Sequence, residues 1–145
     1  MSEQSTIHAS AVLIGATAAL IRGPSGSGKS RLAWQLLHTL PFARLVADDR
    51  AQIEARGGRL LARPAARLEG LIEIRGLGIR RVPFESVAAV GLMVDLAAAD
   101  AGRLPEASAG QAVIEGVTLP RLAVADGADA LPVIQAFLRT ASAAN

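Results

Sequence analysis

Short apolar runs separated by glycines and small polar residues dominate this chain, and only two stretches shift to helical spacing. Residues 11–14 are apolar and end at Gly15, which predicts a strand and a turn; residues 18–21 predict another strand. From Lys29 to Leu40 the period changes, with Leu32, Leu36, Leu37 and Leu40 on one face of a helix that Pro41 closes. Leu45-Val46-Ala47 is a brief apolar run ending in Asp48-Asp49. Residues 52–61 carry Gly57-Gly58 at their centre, a hairpin signal. Residues 71–81 read as one strand interrupted by Gly76 and Gly78. The strongly apolar segment 87–96 reads as a buried central strand, with a helix as the alternative. Segment 97–110 is small, polar and turn-rich, and is expected to be a mobile loop. Two more strands, 113–117 and 119–124, flank Gly116. Asp129 then caps a final helix over 130–141, whose Leu131, Ile134, Phe137 and Leu138 form an apolar stripe. No repeat or linker divides the chain. The expectation is one strand-rich, mixed α/β domain spanning residues 1–145.

The turn between the strand at 18–21 and the first helix carries the clearest chemistry. Gly23, Pro24, Ser25, Gly26, Ser27, Gly28, Lys29 and Ser30 fit the phosphate-loop pattern G-x-x-x-x-G-K-[ST] in its proper strand-to-helix setting. Glycines let successive backbone N–H groups turn toward anionic oxygens with no Cβ in the way. The helix N-terminus adds partial positive charge. Lys29 would bridge the β- and γ-phosphates, and the Ser30 hydroxyl would hold Mg²⁺. A nucleoside triphosphate with magnesium is therefore the expected ligand.

Composition narrows the rest. With 51% apolar but only 3% aromatic residues, the core must be built from Ala, Leu, Val and Ile, which disfavours stacking of bases on aromatic rings. The absence of cysteine removes disulfides, thiolate metal sites and thiol nucleophiles, and fits a reducing cytoplasm. A formal charge of only +2, spread over scattered arginines, supports no nucleic-acid stripe. No segment has the length or apolarity of a signal peptide or a membrane span.

Phosphoryl transfer also needs a carboxylate for the metal and a group to take the acceptor's proton. Three apolar runs end in aspartate: at Asp48-Asp49, at Asp95 and at Asp126. Asp95 ends the longest of these and is the most ordinary choice for the metal. The adjacent pair is less usual, because neighbouring side chains on a strand face opposite ways; both reach one site only where the strand is turning. Glu73 and Arg75, two residues apart, would share a face of a strand, with Gly76 and Gly78 permitting close backbone approach just beyond.

Taken in order, these pieces resemble the catalytic domain of HPr kinase/phosphorylase. The resemblance rests on His8, on residues 23–30, on Leu45-Val46-Ala47-Asp48-Asp49, on Glu73-Ile74-Arg75-Gly76-Leu77-Gly78-Ile79 and on Arg103-Leu104, and covers roughly residues 6–125. It implies an ATP- and Mg²⁺-dependent kinase acting on a seryl side chain of an HPr-like phosphocarrier protein, with phosphorolysis to pyrophosphate in reverse. It further implies a nucleotide core similar to that of phosphoenolpyruvate carboxykinase, a cytoplasmic hexamer, and a short proteobacterial form lacking the N-terminal domain of longer members. Under it, Lys29 contacts the transferred phosphate, and Ser30, Asp48 and Glu73 serve the metal. Asp49 takes the serine proton, Arg103 neutralises charge on the moving phosphoryl group, and His8 tunes the carboxylates. Three departures stand out. Segment 95–103 is short, and the final helix is reduced. Segment 125–129 is acidic where members carry a basic loop used in dephosphorylation, which weighs against phosphorolysis. Two other readings differ in class. One is a small-molecule kinase with Asp95 on the metal and Arg63 and Arg67 in a lid. The other is a nucleotide-binding sensor without transfer.

Overall fold

Period-two burial along the strands decides how this chain stacks. The computed structural model describes residues 4–143 and opens with β1 (Ser5–Ile7), β2 (Ala9–Leu13) and β3 (Ala18–Arg22). Helix α1 (Lys29–Thr39) leaves the loop after β3, and β4 (Arg44–Ala47) follows. Next come a hairpin of β5 (Ala51–Arg56) and β6 (Arg59–Pro64), then a second hairpin of β7 (Leu71–Ile74) and β8 (Gly78–Arg81). The chain continues through β9 (Ala88–Asp95), a 3₁₀ turn (Ala107–Gly110), β10 (Gln111–Ile114), β11 (Val117–Ala123) and helix α2 (Leu131–Arg139). The result is the strand-rich mixed α/β fold expected from the sequence.

Nine strands make one sheet in the order β1-β5-β6-β9-β3-β2-β4, with β11 joined to β9 and β10 to β11. β9 is central, as its apolar run predicts, and β3 and β11 both pair with it in parallel. Ala18 and Leu20 of β3 enter one core, and Ala19 and Ile21 enter the other, as alternation requires. The first core contains no helix. Residues of β2, β3, β4, β5, β6 and β9 pack there on one another, so the sheet curls over this face. The second core lies under α1 and α2, through Leu32, Ala33, Leu36 and Ile134. The parity of β9 shifts at Gly91, where Val90 and Leu92 pair with the adjacent residues Ala18 and Ala19. A Cβ on Gly91 would lie 2.7 Å from Thr17 Cβ, so the bulge closes only around glycine.

One expectation is corrected. Residues 71–81 are not a single interrupted strand but the β7–β8 hairpin, which forms its own two-stranded sheet. Gly76 and Gly78 have φ of +87° and +100°, and Leu77 N–H donates to the Ile74 carbonyl at 2.9 Å, so the glycines reverse the chain instead of interrupting it. Ile72 anchors the hairpin in the helix-side core, and β8 is exposed throughout. The stripe on α2 is only partly covered: Ile134 is buried, while Phe137 and Leu138 remain 38% and 42% exposed. Among the described residues no helix is long and apolar enough to cross a membrane.

Candidate active site

The parallel strands β3 and β9 end side by side at Arg22 and Asp95, and the phosphate loop begins one residue later at Gly23. A loop at the carboxyl ends of parallel strands is where α/β sheets place ligands. Gly28 caps α1 with φ +100°, a conformation that a side chain would strain, and carries the chain from loop to helix. Gly23 is held as closely, since a Cβ there would lie 2.4 Å from Ser27 Oγ.

Several features of this loop fit a polyphosphate and its magnesium. Lys29 as a residue is only 7% exposed, and its ammonium bonds the loop's own carbonyls, Gly23 O at 2.9 Å and Pro24 O at 3.2 Å. It is thus held inside the loop, with a third N–H left to donate. The Ser27 hydroxyl is buried there without a partner among the described residues, a donor that an anionic oxygen would satisfy. Ser30 Oγ donates to Asp48 Oδ1 at 2.6 Å, which gives a pair of oxygen ligands of the hard kind that Mg²⁺ prefers.

Asp48 and Asp49 lie where β4 ends and the chain turns toward β5, as a shared role for the pair requires. Asp48 points inward. Its Oδ1 also accepts from Ser10 Oγ at 3.0 Å, and its Oδ2 accepts the Glu73 backbone N–H at 3.0 Å. Asp49 has φ +64°, a left-handed conformation that aspartate tolerates better than most residues, and its side chain is exposed beside the loop–Asp48 contact. Its backbone is pinned on both sides: its N–H donates to Ser10 Oγ at 3.0 Å and its carbonyl accepts from Ala9 N–H at 3.1 Å. That last bond, together with Ile7 pairing to Ala51, sets His8 alongside Asp49 and Arg50. The fold therefore joins the loop to Asp48 and Asp48 to the Glu73 backbone, with the exposed His8 beside Asp49-Arg50 in the strand register; among the described residues no three acidic or histidine side chains form a ready metal cluster.

Arg103 is not drawn in. It is exposed on segment 97–110 and makes no hydrogen bond or ion pair with the described residues. Ser10, by contrast, escaped the sequence reading. It is fully buried and joins Asp48 to the Asp49 backbone. Its only signal was a hydroxyl residue immediately before an apolar strand run.

Asp95 is committed elsewhere. Arg22 binds it in a fork, Nε to Oδ1 at 2.7 Å and a terminal nitrogen to Oδ2 at 2.8 Å, and Arg121 Nε reaches Oδ2 at 2.6 Å. Arg121 also pairs with Asp100 and donates to the Ala109 carbonyl, tying β11 to both halves of segment 97–110. Burial pushes the Asp95 carboxyl up, but the two guanidiniums outweigh it and hold the group below its ordinary value. A carboxyl lowered in this way stabilises the fold above its unfolded pKa, near 3.9. That contribution is lost as pH falls through the folded value. Asp95→Asn is expected to cost about 2 kcal/mol at neutral pH, the low side for a broken buried pair because Arg22 is 35% exposed. It should also flatten the stability loss on acidification below about pH 4. Urea midpoints at neutral and acid pH measure both effects, and a neutral midpoint equal to wild type would refute the clamp.

The comparisons with known proteins bear on the family and the fold. The family model described as the HPr Serine kinase C-terminal domain matches residues 1–137. An HPr kinase/phosphorylase of Streptococcus thermophilus is 42% identical over 80 residues, 54% of this chain and 25% of that protein. The enzyme of the same name from Clostridium tetani is 36% identical over 83 residues, 57% of this chain and 27% of its own length. The matched stretches thus span about a quarter of these relatives. Among solved structures, the Hpr(Ser) kinase/phosphatase from Coxiella burnetii superimposes with a TM-score of 0.75 at 23% identity, covering 93% of this chain and 88% of that one. A strand-rich fold built around a phosphate loop, with a family match over nearly its whole length, places this chain in the HPr serine kinase C-terminal domain family.

Proposed function

We propose that this chain is an ATP- and Mg²⁺-dependent protein-serine kinase acting on an HPr-like phosphocarrier protein. The observation that carries the reading is the Ser30–Asp48 hydrogen bond of 2.6 Å, which hooks the phosphate loop to the Asp48-Asp49 turn. In this reading Ser30 and Asp48 hold the magnesium, with Glu73 beside them, and the ion supplies positive charge for the triphosphate. Lys29 exchanges its loop carbonyls for phosphate oxygens. Asp49 accepts the proton of the acceptor serine as the seryl oxygen bonds to the terminal phosphorus and the bond from that phosphorus to the ADP oxygen breaks. His8, next to Asp49 in the strand register, orients or relays that proton. Arg103 neutralises the transferring group only after segment 97–110 brings it inward. Phosphorolysis is the weaker direction, because Asp129 lines the cleft beside the loop and places negative charge where an incoming phosphate would approach. A cytoplasmic setting and a homo-oligomer, the hexamer implied by the resemblance, belong to the same reading.

The small-molecule kinase alternative needs Asp95 free for the metal, and its two arginine partners make it a poor candidate. Incubating the protein with ATP, Mg²⁺ and an HPr-like carrier should yield phosphoserine on the carrier, detected by mass spectrometry. Intact ATP binding with no phosphoserine would overturn the kinase reading in favour of a nucleotide sensor.

A further inference from the structure

A cavity of about 480 Å³ lies at the end of the sheet away from the phosphate loop. The strands that lead to the loop, β3 and β9, start beside it: Ala18 pairs with Val90 there, whereas Arg22 and Asp95 pair about 13 Å further on. We infer that this cavity binds a small carboxylic acid with an apolar body, at a site separate from the triphosphate's. Its floor is a piece of sheet face that joins neither core. Leu60 and Ala62 of β6 enter the first core, so Leu61 turns to the opposite face, and Ala89 does the same between Ala88 and Val90. Both line the cavity, together with Leu13 and the 42% exposed Val87. The helices pack further along this face, over Val12, Ala19 and Ile21, and leave the floor to a ligand's aliphatic part.

The charge on the rim is positive and uncompensated. Arg59 lines the cavity on the same face as Leu61, and Arg56 stands directly opposite it across the β5–β6 hairpin. Both are exposed, and neither side chain has a hydrogen bond or ion pair among the described residues. Like charges directly opposed on paired strands are destabilising, and a bound anion offsets that repulsion. The neighbouring charges are already matched. Arg63 Nη1 donates to Glu54 Oε1 at 2.9 Å, and Arg44 Nε reaches Glu85 Oε1 at 2.8 Å. The Arg59 fork therefore remains for a ligand, with further N–H groups on Arg63, and such a fork matches one carboxylate bidentately. Glu85 on the same lining disfavours a doubly charged head such as phosphate. The volume suits a small molecule, so the acid head and the apolar body belong to one ligand.

Hexanoate is the probe, titrated into the ¹⁵N-labelled protein and followed by amide chemical shifts, with hexanamide and inorganic phosphate as comparisons. Hexanoate should shift the Gly15, Ala16, Leu61 and Ala89 amides to saturation, with the millimolar affinity expected of so small a ligand, while residues 23–30 stay in place. Hexanamide keeps the body and loses the charge, and should bind at least about ten-fold more weakly, the loss expected for a charge-assisted hydrogen bond. Arg59→Gln should weaken hexanoate by about the same factor. Residue 59 is exposed, so that variant should melt with wild type, which separates a lost contact from a lost fold. No saturable shift at the cavity, equal binding of hexanoate and hexanamide, or Arg59→Gln within about two-fold of wild type would each overturn the inference. Phosphate moving the same amides as strongly as hexanoate would overturn the carboxylate assignment, and hexanoate shifts confined to residues 23–30 would overturn the site. The kinase reading is untouched by any of these results, because it rests on the opposite end of the sheet.

Discussion

Asp49→Asn should reduce carrier phosphorylation by about 10²–10⁴-fold, the range by which a positioned general base accelerates proton transfer. ATP affinity should stay within about two-fold, because the outer end of the triphosphate is held by other groups. Asparagine is the informative substitution. It keeps the shape of the side chain and tolerates the left-handed backbone at φ +64°, so the bonds from Asp49 N–H to Ser10 and from Ala9 to the Asp49 carbonyl survive. Alanine would mix the loss of the carboxylate with backbone strain. The checks are the turnover rate on the carrier and an ATP titration of the same preparation. A variant within ten-fold of wild-type turnover would remove Asp49 from the chemistry and leave it as a turn residue. Asp95→Asn is the natural contrast, since its effect should appear as lost stability before it appears in the chemical step.

The local elements follow from the sequence because their causes are local. The spacing of Leu32 and Leu36, the stop at Pro41 and the paired glycines at 57–58 each act within a turn or two. β9 could be placed at the centre because only a strand buried on both faces carries so long an apolar run. The choice among aspartates could not be made this way. Asp48, Asp95 and Asp126 all end apolar runs, and what separates them is which partners the sheet brings from far along the chain. Asp95 receives Arg22 and Arg121, 73 and 26 residues away, whereas Asp48 receives Ser30, Ser10 and the Glu73 backbone. Pattern favoured Asp95, and topology reversed that preference. The 71–81 segment failed for another reason. Gly76 and Gly78 serve a strand interruption and a hairpin turn equally well, and what separates the two is the antiparallel pairing of Leu71–Ile74 with Gly78–Arg81, which periodicity does not carry. For the site residues, the resemblance to the HPr kinase catalytic domain supplied roles that no periodicity contains. Arg103 lies exposed on segment 97–110 with no hydrogen bond or ion pair to the described residues, so its role rests on the resemblance alone.

Lys29→Met should have the second large effect. The residue is buried and its ammonium is bonded to the Gly23 and Pro24 carbonyls, so it serves the loop before any ligand arrives. Methionine has nearly the same length and removes only the charge and its donors. The two carbonyls left behind belong to loop residues that water can reach, so the unliganded protein should melt within a few degrees of wild type. The ligand response should differ sharply. At about one hundred times its dissociation constant, ATP stabilises a protein by about 2.7 kcal/mol, and a ten-fold loss of affinity halves that. Phosphotransfer should fall further, by about 10³-fold, because charge gathers on the terminal phosphate oxygens as the bond to ADP loosens and the lysine meets it there. Melting curves with and without Mg-ATP, read beside turnover on the carrier, separate these effects. An unliganded protein that melts far below wild type would make Lys29 a structural strut of the loop. Unaltered ATP stabilisation in Lys29→Met would mean that the triphosphate lies somewhere other than on residues 23–30.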